Sequence, residues 1–76
     1  MTKLVRAQAG VKLERIKRLS ARQKDEIFYR LTSIRTASER VIFDVDQAQR
    51  AFAREVAACL EDKAVKGLIE QGALDH

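Results

Sequence analysis

The sequence predicts an all-α protein of three helices, roughly 3–19, 21–34 and 38–71, forming a helical hairpin or small bundle completed by dimerisation. Three observations predict it. The chain has no proline and three glycines among 76 residues, and it is rich in Ala, Leu, Arg, Lys, Glu and Gln, a composition that favours long helices. Apolar residues recur at helical spacing in the first segment and again toward the C-terminus. Between them a seven-residue spacing sets Ile27, Ile34, Val41 and Ala48 in one row and Leu31, Ser38, Val45 and Phe52 in another. Such a seam is what two helices need to pack side by side.

The first helix is read from an apolar arc. Val5, Ala9, Leu13, Ile16 and Leu19 fall within about 120° on a helical wheel. Lys3, Arg6, Arg15, Lys17 and Arg18 lie off that arc, and Lys12, inside it, would have to snorkel. Residues 1–24 are thus expected to form a basic amphipathic helix or arm, interrupted at Gly10. Ser20, followed by Ala21, Arg22 and Gln23, fits a capping box and opens the second helix. Thr36 and Glu39 give a second match, in a Thr- and Ser-rich stretch that places a turn within 33–38. Asp44 and Asp46 offer later caps. Gly72 stands where a C-cap glycine belongs, which leaves 73–76 as a loose tail. The β-branched run at 40–46 competes as a short strand, and is given less weight.

A chain of this length supports one domain and buries only about 60% of its unfolded surface. Cys59 is the single cysteine and excludes an internal disulfide. With His76 it supplies too few ligands for a structural zinc. A partner subunit, in the form of a homodimer, is the expected remedy. The lone cysteine and the lack of an export signal point to the cytoplasm. No stretch approaches the roughly 18 apolar residues that span a membrane.

No catalytic, cofactor-binding or metal-binding residues are expected. The sole histidine is terminal, and Cys59 lies on an apolar stripe with Phe52, Val56 and Leu60. Glycines 10, 67 and 72 match no phosphate-cradling loop. Binding is the remaining class. Residues 1–40 hold eleven basic side chains against four acidic ones, a net +7, whereas residues 41–76 hold four against seven, a net −3. The first expectation is a non-enzymatic helical module that binds a protein partner as an adaptor, inhibitor or regulator. It requires an apolar patch left over once the core is filled, involving Phe28, Ile42 or Phe43, or Leu68, Ile69 and Leu74. The alternative is a nucleic-acid-binding regulator whose N-terminal helix contacts the phosphate backbone. Candidate contact residues are Arg15, Lys17, Arg18, Arg22, Tyr29, Arg30 and Phe43.

Overall fold

Most of residues 2–42 are strand where the sequence predicts helix. The computed structural model describes residues 1–19, 21–22 and 24–72. The chain opens with four strands, β1 (Thr2–Gln8), β2 (Val11–Leu19), β3 (Asp25–Ser33) and β4 (Ser38–Ile42). It continues with two helices, α1 (Val45–Glu61) and α2 (Lys63–Glu70). The strands form one antiparallel sheet in the order β1-β2-β3-β4. The all-α three-helix bundle, the coiled-coil seam and the basic helix over 1–24 are all overturned.

The local reasons are specific. Ala9 and Gly10 have φ of 53° and 81°, and two consecutive positive values match the twist of a two-residue hairpin turn. Gly10 therefore reverses the chain rather than fraying a helix. Beyond it the buried Val11 and Leu13 alternate with the exposed Lys12, the period of a strand. The apolar arc read for a helix splits across the sheet, with Leu13 and Leu19 on one face and Ile16 on the other. Along β3, Ile27, Phe28, Tyr29 and Thr32 are residues that suit a pleated surface. The seven-residue rows were coincidental, since Ile27, Ile34, Val41 and Ala48 fall in β3, a turn, β4 and α1. The expected break within 33–38 is a turn, but it joins two strands. The break at Ser20 and the tail over 73–76 lie outside the described residues.

Gly10 gives a direct check on the first hairpin. A β-branched side chain at its φ of 81° is strained by about 1–3 kcal/mol. Gly10→Val is therefore expected to lower the urea midpoint by a corresponding amount.

The helical half follows the sequence more closely. Asp44 caps α1, its carboxylate accepting from the Gln47 N–H at 2.9 Å. Ala48, Phe52, Val56 and Cys59 are buried along one stripe of α1. Asp62 then divides the expected single helix. It ends α1 and caps α2, accepting from the N–H groups of Ala64 and Val65 at 2.9 and 3.2 Å. Gly72, at φ 71°, donates its N–H to the Ile69 carbonyl at 3.0 Å, as a C-cap glycine does.

The core lies where α1 crosses one end of the sheet. Ala9, Val11, Leu13, Leu31 and Ile42 meet Ala48, Phe52, Val56, Cys59 and Val65 there. The Cα radius of gyration is 13.9 Å, against about 11 Å for a compact chain of this length. Burial explains the excess. Val11 and Leu13 are buried, whereas 17–19 and 24–25 are exposed, so the far half of the β2–β3 hairpin extends beyond the helices. The principal extents, 46 × 20 × 17 Å, reflect that arm.

Candidate functional site

Residues paired directly across an antiparallel ladder share a face, and neighbours along a strand alternate. Registers therefore sort the sheet into a side covered by α1 and an open side. A bulge at Val5 shifts the β1 register between Leu4 and Arg6. On the helix side stand Lys3, Arg6, Arg15, Lys17 and Arg40, with Asp25 the one acid, by register with Leu13 and Leu31. On the open side Lys12, Arg18 and Arg30 are matched by Glu14, Glu26 and Glu39. The helix side of the sheet is strongly basic. The open side is electrically neutral.

The open side also carries an apolar row. Ile16 pairs with Phe28, and Phe43 continues the row, its ring centroid 6.0 Å from that of Phe28 at a 49° tilt. Leu4 and Val41 stand beside it by register with Glu14 and Arg30. Phe43 is 68% exposed, Leu4 53% and Val41 52%. Charges bracket the row in matched pairs. Arg30 reaches Glu14 at 3.0 Å, and Arg18 reaches Glu26 at 3.1 Å while its guanidinium lies 5.1 Å over the Phe28 ring.

On the helix side a cavity of about 420 Å³ opens between α1 and the β3–β4 end of the sheet. Gln47, Arg50, Ala51, Arg54 and Glu55 line it from α1, at the spacing that puts side chains on one helical stripe. Leu31, Ser33, Ser38 and Arg40 line it from the sheet, with Thr36 at the turn. Glu55 is engaged at one end. It accepts from Arg35 Nε and Nη2 at 2.7 and 2.9 Å and from Ser33 Oγ at 2.8 Å. The Arg35 hydrogen bonds, with a smaller contribution from Ser33, hold the Glu55 carboxyl below its ordinary value against the opposing effect of burial. The same contact pushes Arg35 further up.

The seven contact residues expected from sequence do not form one surface. Arg15, Lys17 and Tyr29 are on the helix side, and Arg18, Arg30 and Phe43 are on the open side. Arg22 sits exposed in the turn after β2. Tyr29, expected to point outward, is half-buried against the core. Lys17, Arg18 and Arg30 are held in ion pairs with Asp25, Glu26 and Glu14. Arg40, Arg50 and Arg54 were missed. The i, i+3, i+4 spacing of Gln47, Arg50 and Ala51 was readable, but the approach of Arg40 from β4 was not.

Among the described residues no helix is long and apolar enough to cross a membrane. No group of three or more His, Cys, Asp or Glu among them could hold a metal ion. Comparison with protein-family models, with curated proteins and with solved structures finds no match to this chain.

Proposed function

We propose that the protein is a non-enzymatic binding module that docks through the open side of its sheet, and that the surface it docks onto is a second copy of itself. One observation carries this reading: an apolar row in which exposed Phe43 continues half-buried Ile16 and Phe28, flanked by exposed Leu4 and Val41. An antiparallel sheet exposed on one side ordinarily presents polar residues there. A contiguous exposed apolar patch marks an interaction surface. Of the side chains expected in a leftover apolar patch, Phe28 and Phe43 lie on this one, Ile42 is in the core, Leu68 and Ile69 are half-buried in α2, and Leu74 lies outside the described residues.

Charge selects the occupant. The chain carries +4 overall, so two copies repel unless they meet where charge is balanced. The open side is balanced and the helix side of the sheet is not. Across a twofold axis, the Arg18–Glu26 and Glu14–Arg30 pairs present both signs to their own copies, as an isologous contact requires. Four strands at about 4.8 Å spacing give a face about 19 Å wide, compatible with a small interface. A chain with so small a core also gains most from a subunit that covers apolar surface.

Sedimentation velocity over roughly 10–500 μM, where a micromolar dimer dissociates, tests the reading. The wild-type protein is expected to move from the mass of one chain to that of two. Phe43 is exposed, so Phe43→Asp should leave the far-UV circular dichroism unchanged and hold the protein at one chain throughout. A wild-type protein that stays single at the highest concentration would rule out the second copy. A dimer indifferent to Phe43→Asp would place the contact elsewhere.

A further inference from the structure

We infer that the cavity between α1 and β4 is a binding site for phosphate groups, with the guanidinium groups of Arg40, Arg50 and Arg54 as its ligands. The site lies on the helix side and is independent of the docking face. Its chemistry is one-sided. Three arginines line the cavity with a single carboxylate, Glu55. That carboxylate is already held by Arg35 and Ser33. Among the described residues, Arg40, Arg50 and Arg54 make no ion pair or hydrogen bond.

Such an arrangement opposes local stability. Arg50 and Arg54 stand four apart on α1, where like charges repel, and β4 brings Arg40 to the same cavity. Elsewhere Arg18, Arg30 and Arg35 are held in ion pairs, whereas Arg15 and Arg22 stand apart from one another rather than gathered at one cavity. A cluster of like charges kept at a cost in stability is the kind of local conflict that concentrates at functional sites. A guanidinium presents its donors as a planar fork that fits phosphate oxygens two at a time.

The remaining lining suits the same ligand. Ser38 Oγ donates to Thr36 Oγ1 at 3.0 Å, which leaves the Thr36 hydroxyl proton for a ligand oxygen. The Gln47 side-chain amide lines the cavity as a further donor. No aromatic ring lines it, so there is no platform on which a base would stack. The cavity is built for phosphate rather than for a nucleobase. Its volume of about 420 Å³ admits several linked phosphates, within the usual range for small-ligand sites. The phosphates can belong to a free polyphosphate or to a nucleic-acid backbone.

Titration calorimetry separates these sources, with inorganic tripolyphosphate in one arm and a single-stranded oligonucleotide of about twelve nucleotides in the other. Each arm is run at about 50 and 200 mM salt, because phosphate contacts weaken as salt rises. The variants are Arg40→Gln/Arg50→Gln/Arg54→Gln and, as a control outside the cavity, Arg15→Gln/Lys17→Gln. All five residues are partly or largely exposed, and circular dichroism checks that both variants fold. Tripolyphosphate binding that falls about tenfold or more in the triple variant, and stays within about twofold in the control, supports a site for free polyphosphate. The same pattern with the oligonucleotide alone supports the site and assigns it to a nucleic-acid backbone. No binding of either probe by the wild-type protein at low salt would overturn the inference. Equal losses in the two variants would also overturn it, since the binding would then be diffuse attraction to the basic side.

Discussion

Phe52→Ala is expected to remove a large share of the protein's stability. Phe52 is 1% exposed and sits where the stripe of α1 meets Val11, Leu13 and Leu31 of the sheet. Truncating a buried phenylalanine costs about 3–5 kcal/mol, through lost transfer free energy and the cavity left behind. A chain of 76 residues holds only about 4–11 kcal/mol in total, at 0.05–0.15 kcal/mol per residue. The substitution also removes the ring under the Arg6 guanidinium, 4.7 Å from its centroid, a contact worth about 0.5–1 kcal/mol at an exposed site. In a urea titration followed by circular dichroism, Phe52→Ala should lower the midpoint by about a third of the wild-type value or more. Leu60→Ala on the same helix, where Leu60 is 46% exposed, should shift the midpoint little. Similar shifts for the two variants would mean that α1 is not anchored to the sheet through Phe52.

Glu55→Gln should also be damaging, and its effect should depend on pH. Glu55 joins α1 to the end of β3 and the turn that follows. It accepts from Ser33 Oγ and from two nitrogens of Arg35, and Cys59 Sγ approaches it at 3.7 Å. Ser33 is 7% exposed, so weakening its partner leaves a buried hydroxyl poorly satisfied, at a cost of about 1–3 kcal/mol. The Arg35 side chain is 36% exposed, so solvent screening makes the ion pair a minor part of the loss beside the buried Ser33 contact. The folded-state pKa of Glu55 lies below its ordinary value of 4.5. The unfolded chain therefore takes up the proton first as acid is added. The contribution is complete well above 4.5 and is lost as pH falls through the folded-state value. The gap between wild type and Glu55→Gln should be constant near neutrality and narrow below about pH 4.5. A gap that does not change with acid would mean that the carboxylate's charge contributes nothing to stability.

The sequence was most legible where structure is local. Asp44 as a cap, the apolar stripe through Phe52, Val56 and Cys59, and Gly72 as a C-cap glycine depend on residues within a turn or two of each other. Leu60 was read onto that stripe and proved exposed, because α1 meets the sheet along a narrower line than its apolar surface. The strands were illegible for a definite reason. From residue 2 to 19 the apolar positions satisfy a helical arc better than an alternation, because a bulge at Val5 and the outward Ile16 interrupt the period of the sheet. The turn at Ala9 and Gly10 contains no Asn or Asp to announce a hairpin, and the composition favours helix. The candidate surface suffered in the same way. Arg15 and Lys17 are one residue removed from Arg18 in parity, so a helix groups them and a strand sends them to opposite faces.

By itself the sequence determined a helix toward the C-terminus, for which Asp44 was a secondary cap behind a start at 38, the burial of Cys59, and the imbalance of charge between 1–40 and 41–76. Only the tertiary structure decided that most of residues 2–42 are strand, which of their charges face α1, and that Arg40 meets Arg50 and Arg54 across one cavity. A helix satisfies its backbone hydrogen bonds from its own residues four positions away, so its signals are written locally. A strand borrows its partners from elsewhere in the chain, and here the pairing of Val11 with Ser33 and of Arg30 with Val41 fixes the faces.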